Sequence, residues 1–194
     1  MHDAHHGFDN MRWLNEPPAW SLQDATLRVE TAGGTDFWRK TFYGFVHHNG
    51  HFLHCDVVGD FTVEVTISGD YSALYDQSGL MLRASDSHWI KTGIEFTDGV
   101  AHVSAVVTNG QSDWSVMPLP AFSGSLRIRL TRHGDAIRVQ FLHEGEWQLV
   151  RLGYLALPDV CSVGIMCCSP QRAGFEARFD DFVLGDAISR DLHE

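Results

Sequence analysis

The sequence lacks any apolar run long enough to span a bilayer, for which about 20 residues are needed. Its first residues, MHDAHHGFDNMRW, show neither the basic start nor the apolar stretch of a secretory signal. Basic residues are few, since 14 Lys and Arg stand against 25 Asp and Glu for a net charge of −11. We therefore expect a cytoplasmic protein whose partners include neither nucleic acid nor an anionic membrane.

Motifs that would indicate a redox, nucleotide or metal centre are also missing. The four cysteines, Cys55, Cys161, Cys167 and Cys168, show no CxxC spacing, which favours free thiols in a reducing compartment. No glycine-rich phosphate loop, Gly-x-Ser-x-Gly or HExxH pattern occurs. We therefore predict no cofactor and no metal.

Helical spacing of apolar residues is absent as well, whereas short segments that alternate with period two are frequent. Such a chain predicts an all-β sandwich or jelly roll. We predict a loose N-terminal segment over residues 1–10 and a single domain over 11–194. The predicted strands are 26–31, 61–68, 77–84, 88–97, 100–108, 113–117, 125–131, 136–143, 146–154, 160–168 and 174–184.

Two Asx-Gly dipeptides suggest how four of these strands pair. Two-residue turns at Asp98-Gly99 and Asn109-Gly110 would set Glu95 opposite His102 and Val106 opposite Asp113. A three-residue loop at 85–87 would set Gln77 opposite Glu95. In this register one face is apolar and holds Leu80, Leu82, Ile90, Ile94, Phe96, Val103, Ala105, Val107, Trp114 and Val116. The other face is more polar and holds Gln77, Met81, Arg83, Trp89, Lys91, Glu95, His102, Ser104, Thr108, Asp113 and Ser115.

Several segments, taken in order, resemble the uncharacterised domain-of-unknown-function family 1349 of the concanavalin A-like lectin and glucanase superfamily. They are DFWRKTFYGF (36–45), NGHFL (49–53), YDQSGLMLR (75–83), HWIKTGIEF (88–96), SAVVTNGQSDWS (104–115) and CSP (168–170). The resemblance implies a jelly-roll sandwich of two curved antiparallel sheets whose concave sheet receives carbohydrate. The recurring family positions map to Asp36, Phe37, Trp38, His51, Asp76, Gln77, Trp89, Lys91, Glu95, Ser104, Thr108, Asp113 and Trp114. Trp114 departs from the polar face, because the predicted register puts it in the core.

The polar face and the resemblance together predict a non-catalytic site for a saccharide or other small polyol. Indole rings stack on the apolar faces of sugars, while carboxylates and amides bind hydroxyl groups. The predicted ligand-binding residues are Trp38, Gln77, Arg83, Trp89, Lys91, Glu95, His102, Ser104, Thr108 and Asp113.

Two other functions stay open. In a sugar-active enzyme, Glu95 would act as general acid or base, with Asp36 or Asp76 supplying a second carboxyl from a loop. The register places no other carboxyl at the separations of about 5–5.5 Å or 6.5–9.5 Å that glycosidases use. In a regulatory interaction module, the same face would hold a protein partner. Edge strands also permit a homodimer.

Histidines crowd the segment HHNGHFLH, and two aspartates adjoin in RFDDFVL. His47, His48, His51 and His54 are typical zinc-ligand types, but no second ligand motif accompanies them. Asp180 and Asp181 are too few for calcium, which takes six or more oxygens. We expect surface or structural roles for both groups, although the sequence does not exclude a metal at either.

Overall fold

The computed structural model describes residues 4–119 and 122–192. Within these ranges the regular secondary structure is entirely β-strand, and no helix is long and apolar enough to cross a membrane. The strands are β1 His5–His6, β2 Arg12–Leu14, β3 Ala19–Gln23, β4 Thr26–Glu30, β5 Phe37–Arg39, β6 Val46–His48, β7 His51–Val58, β8 Phe61–Gly69, β9 Gln77–Ser85, β10 His88–Thr97, β11 Val100–Asn109, β12 Gln111–Pro118, β13 Ser125–His133, β14 Ala136–His143, β15 Glu146–Tyr154, β16 Val160–Cys168 and β17 Glu176–Gly185.

Two antiparallel sheets form a sandwich. The eight-stranded sheet has the order β15-β14-β13-β8-β17-β4-β3, with β1 paired to β17, and the seven-stranded sheet has the order β12-β11-β10-β9-β16-β7-β2. Alternate apolar side chains from both sheets fill the space between them, among them the fully buried Val65 and Ile67 of β8 and Leu80 and Leu82 of β9. This confirms the jelly-roll sandwich of concanavalin A-like type.

The predicted pairing of β9, β10 and β11 is confirmed. Glu95 lies opposite His102 on β11 and opposite Gln77 on β9, and Trp89 lies opposite Arg83. Asp98 and Gly99 both have positive φ, of 53° and 78°, as a tight Asx-Gly reversal requires. The face of the seven-stranded sheet turned away from the sandwich core, here called the outer face, therefore carries Lys91 and Glu95.

The predicted pairing of β11 with β12 is wrong by one residue. Asn109 lies opposite Gln111, so that only Gly110, with φ of 72°, makes the reversal. Asn109 stays extended because it continues the ladder opposite His88. The shift of one residue exchanges the faces of β12, which turns Trp114 to the outer face and Asp113 away from it.

The N-terminal segment is more ordered than predicted. His5 and His6 pair with Leu184 and Val183 of β17. Phe8 is buried in the main core and packs on Phe182, with ring centroids 5.5 Å apart. Burial of one aromatic ring is what holds residues 5–8 against the sandwich, so the prediction of a loose segment is wrong there. Residues 1–3 lie outside the described part of the chain.

A small two-stranded sheet of β5 and β6 covers part of the outer face. Phe37 and Trp38 of β5 form a second hydrophobic cluster with Trp89, Met81 and other apolar residues of the seven-stranded sheet. The connecting loop reverses through three residues of positive φ, at positions 40, 42 and 44. We call residues 37–48 the flap. It turns an open sheet face into a covered one.

Candidate functional site

A cavity of about 330 Å³ lies between the flap and the outer face. Its walls come from the flap, from β9, β10, β11 and β12, and from the loops that precede β5 and β9 and follow β16. The lining residues are Gly34, Asp36, Trp38, Tyr43, Phe45, His47, Tyr75, Gln77, Lys91, Glu95, Val106, Trp114, Pro170 and Gln171. Five predicted site residues meet here, namely Trp38, Gln77, Lys91, Glu95 and Asp36.

A hydrogen-bonded ion pair forms one side of the cavity. The Lys91 ammonium donates to Asp36 Oδ1 at 2.9 Å and to Gln77 Oε1 at 2.7 Å. The side chains of Lys91 and Asp36 are only 5 % and 18 % exposed. Burial is the largest single influence and opposes the charged form of the lysine, but Asp36, Cys168 and Glu95 together outweigh it, so the pKa of Lys91 is raised.

Glu95 is the more buried of the two acidic residues that line the cavity. Its Oε2 accepts hydrogen bonds from Ser104 Oγ at 2.6 Å and from Trp114 Nε1 at 3.0 Å. Among the described residues no donor reaches Oε1, the oxygen left for the cavity. Burial raises the pKa of Glu95, since the charge of Lys91 and the two donors compensate only in part. Glu95 can therefore hold a proton at a pH where an exposed glutamate has lost it.

Four aromatic rings form a row along the side of the cavity opposite the ion pair, here called the aromatic arc. They belong to Trp38, Tyr43, Tyr75 and Trp114. Trp38 and Tyr43 meet edge to face with centroids 6.1 Å apart, and Tyr75 and Trp114 meet similarly at 6.3 Å. The hydroxyls of Tyr43 and Tyr75 lie 3.5 Å apart and join the two pairs. The arc ends at Glu95, because Trp114 bonds to it. The cavity thus has one aromatic side and one side rich in hydrogen-bonding groups.

Three predicted ligand-binding residues are placed away from the cavity. Trp89 is 0 % exposed, because Phe37 of the flap packs against its ring at 6.2 Å. Arg83 is engaged in an ion pair with Asp86. Thr108 is buried and bonds the Ser112 hydroxyl at 2.8 Å. None of the three lines the cavity, and Phe37 of the flap covers Trp89 in particular.

Asp113 points to the opposite side of β12, where Arg151 binds it at 3.1 Å. The misplaced turn explains this error. His102 and Ser104 lie on the predicted face but do not line the cavity, and the His102 ring bonds the Val100 carbonyl at 3.1 Å. Ser104 acts through its hydrogen bond to Glu95.

Asp76 is fully buried behind the cavity and cannot serve as the second catalytic carboxyl. Its oxygens accept from the Arg172 guanidinium at 2.8 Å, from Ser169 Oγ at 2.7 Å and from two backbone amides. Those donors hold the pKa of Asp76 below its ordinary value in spite of burial, which by itself would raise it. Asp76 anchors the loop before β9 to the loop after β16.

The histidines do not converge. His51 is saturated, because its Nε2 accepts from the Ala32 amide at 3.0 Å and its Nδ1 lies 2.6 Å from the Asn15 carbonyl oxygen. His54 stacks on Phe52 with centroids 4.7 Å apart, and burial lowers its pKa to about 4. No group of three or more His, Cys, Asp or Glu suited to a metal occurs among residues 4–119 and 122–192.

The two aspartates of β17 have separate partners. Asp180 accepts from Thr26 Oγ1 at 2.5 Å, and Asp181 accepts from Thr66 Oγ1 at 3.2 Å. These contacts place both carboxylates on the outside of the eight-stranded sheet, remote from the cavity. The four cysteines are free thiols, as predicted, with Cys167 in the main core and Cys168 in the cluster under the flap.

Several residues that line the cavity are not among the predicted ligand-binding residues, chiefly Tyr43, Phe45, Tyr75 and Trp114. Tyr43 and Phe45 lie in the segment TFYGF directly after Trp38, and the density of aromatic residues in that glycine-containing loop was the available signal. Trp114 was among the family positions, so the resemblance placed it better than the predicted turn. Tyr75 precedes the Asp76-Gln77 pair and gave no separate signal.

Comparison with known proteins matches residues 13–187 to a family described as "Protein of unknown function (DUF1349)". A relative from Saccharomyces cerevisiae named "Regulation of enolase protein 1" is 39 % identical over 183 residues, which cover 94 % of this chain and 92 % of the relative. A crystal structure of a functionally unknown protein from Saccharomyces cerevisiae superposes with a TM-score of 0.90 at 38 % identity, covering 94 % of this chain and 100 % of that chain.

More distant structures share the sandwich alone. A xylan beta-1,4-xylosidase from Bacillus halodurans superposes with a TM-score of 0.68 at 16 % identity, and the match covers 96 % of this chain but 39 % of that chain. At this identity the likeness concerns the fold and not the site. The family match over residues 13–187, together with the yeast relative, shows that the chain belongs to the DUF1349 family.

Proposed function

We propose that the chain binds a small saccharide or polyol in the cavity under the flap and performs no chemistry on it. The observation that carries the proposal is that one cavity is lined both by the aromatic arc and by the hydrogen-bonding groups of Asp36, Gln77 and Glu95. Aromatic faces favour the apolar C–H side of a sugar ring, and carboxylate and amide groups bind its hydroxyls. This division of the walls matches the two-sided character of a sugar.

The size of the cavity restricts the ligand. Its volume of about 330 Å³ lies at the lower end of the range of roughly 300–1,000 Å³ for ligand pockets, which favours one sugar ring over a chain. Asp36 Oδ1 already accepts from Lys91 and from the Phe37 amide, so its Oδ2 is the oxygen open to a hydroxyl group. Glu95 Oε1 is open in the same way.

Isothermal titration calorimetry with a panel of monosaccharides, hexosamines and linear polyols tests the proposal. We expect at least one of them to bind, and Tyr43→Ala to weaken binding about tenfold by removing one ring of the arc. Tyr154→Ala is the matched control, because Tyr154 is also exposed but lies on an edge strand of the other sheet. Binding to none of the panel, or equal binding by both variants, would refute the proposal.

An acid–base enzyme on sugars is the second candidate. It is favoured by the buried Glu95, whose pKa is raised and whose Oε1 is open to the cavity. Asp36 is the carboxylate across the cavity that would assist it. Release of product from aryl glycosides by the chain, abolished in Glu95→Gln while the fold is retained, would favour this candidate over binding alone.

A regulatory interaction is the third candidate. It is favoured by the name of the yeast relative and by Phe42, which is 93 % exposed at the tip of the flap with φ of 62°. Interferometry with purified enolase tests it directly. Binding that is lost in Phe42→Ser, but kept when the cavity is altered by Gln77→Ala, would favour a protein partner on the flap.

A further inference from the structure

Glu95 is a buried carboxyl without a cation of its own. It is 6 % exposed, and its two hydrogen-bond donors, the Ser104 hydroxyl and the Trp114 indole, are both neutral. It makes no ion pair with any side chain in the described part of the chain. A carboxylate taken out of water is costly unless a cation or several donors compensate it. The free oxygen, Oε1, faces the place where a ligand would lie.

Lys91 does not fill this role by direct contact. Its ammonium is bonded to Asp36 and Gln77, so its charge is committed mainly to the Asp36 carboxylate. Two carboxyl groups and one lysine ammonium therefore line the cavity. When Glu95 is ionised, this set carries one negative charge in excess. The net charge of −11 of the whole chain adds to the attraction for cations.

The aromatic arc favours a cation at the same position. The face of an aromatic ring attracts an ammonium group electrostatically, and it does so more strongly where water is excluded. Trp114 belongs to the arc and also donates to Glu95, so the arc begins beside the carboxyl. A cation against Glu95 Oε1 would therefore touch both a carboxylate and an aromatic wall.

We propose that the ligand of this cavity carries an ammonium group together with hydroxyls, as in a hexosamine, and that the ammonium pairs with Glu95 inside the aromatic arc. This inference rests on the proposed function, because it specifies the class of polyol. The hydroxyl groups bind Asp36 and Gln77. Sugars that carry a carboxylate are excluded by the two acidic side chains.

Calorimetry at pH 6 separates the two proposals. The probes are glucosamine, galactosamine and mannosamine, each with its N-acetyl form, its parent sugar and, for glucose, glucuronate. We expect at least one hexosamine to bind tenfold or more tightly than its N-acetyl form and its parent, and glucuronate not to bind. Equal affinity for a hexosamine and its neutral forms would overturn the inference but keep the proposed function. Binding of none would overturn both.

Two variants and a measurement of proton release test whether Glu95 is the partner of the ammonium group. Glu95→Gln keeps an oxygen for Ser104 and Trp114 but removes the negative charge, so it should lower hexosamine affinity at least tenfold more than it lowers affinity for the neutral sugar. Glu30→Gln, an exposed position on the other sheet, should change neither. Burial raises the pKa of Glu95 and a paired ammonium lowers it again, so binding of the ammonium should release protons from this carboxyl. Heats measured in two buffers of different ionisation enthalpy detect this release in the wild type and none in Glu95→Gln. Equal release in both would overturn the assignment.

Discussion

Removal of the Lys91 ammonium should destabilise the protein strongly. At the observed 2.9 Å from Asp36, a pair of unit charges interacts by about 6 kcal/mol at an effective dielectric constant of 20. Part of this attraction offsets the cost of burying both charges, so the expected loss for Lys91→Met is about 3–5 kcal/mol, the range for breaking a buried pair. Chemical unfolding at pH 7, followed by tryptophan fluorescence, measures it.

A second set of variants separates the effect of breaking the ion pair from the effect of changing the side-chain volume. The double variant Lys91→Met/Asp36→Asn should be more stable than the sum of the single losses predicts, by about 1–3 kcal/mol, because no unpaired charge is left. Arg12→Met is the control, since the Arg12–Asp56 pair is about half exposed and should cost at most about 1 kcal/mol. A loss in Lys91→Met no larger than in Arg12→Met would refute the reasoning.

Three further outcomes follow from burial and close packing. Glu95→Gln should gain stability relative to the wild type as the pH rises above 4.5, because a raised pKa means that the wild type loses stability in that direction; unfolding at several pH values measures the difference. Gly93→Ala should cost about 3 kcal/mol in thermal or chemical unfolding, since its Cβ would lie 2.0 Å from the Ser78 carbonyl oxygen. Stability should fall from pH 6.5 towards pH 4 and fall less in His54→Phe, because the unfolded chain protonates His54 while burial keeps the native imidazole neutral. A slope unchanged in the variant would contradict this.

The sandwich could be predicted because apolar and polar residues alternate clearly along its strands and because short local turns join many of them. Each of the eleven predicted strands corresponds to an observed strand, and 88–97 has the predicted bounds. The strands that were missed are short or irregular. In β7, His51–Val58, histidine and aspartate interrupt the apolar pattern, so the sequence indicates a strand end rather than a strand.

The two Asx-Gly dipeptides show the limit of such local signals. Both occur between alternating segments, yet only Asp98-Gly99 makes a two-residue turn. At the other, Asn109 is held opposite His88 by the neighbouring strand, and this contact is not encoded in the dipeptide. One residue of difference exchanged Asp113 for Trp114 on the site face. A local pattern therefore could not identify the indole that binds Glu95.

Coverage of the outer face could not be predicted either. The alternation of polar and apolar residues predicts the polar face of β10 and β11 correctly, but it carries no information on which part of that face is covered. Which part is open depends on where the flap folds back, and this is decided by packing between residues distant in sequence, such as Phe37 with Trp89. Trp89 was therefore expected to meet a ligand when it supports the flap from below.

The cavity depends on the flap as well as on the sandwich. Trp38, Tyr43 and Phe45 come from a single stretch of a dozen residues between β4 and β7, and they line the cavity on the side of the flap. A jelly roll without that stretch would present a bare sheet with Lys91 and Glu95 in water, where neither would keep its shifted pKa. Shared architecture is thus a poor guide to shared ligands here, and the aromatic flap is the feature by which proteins with the same cavity should be sought.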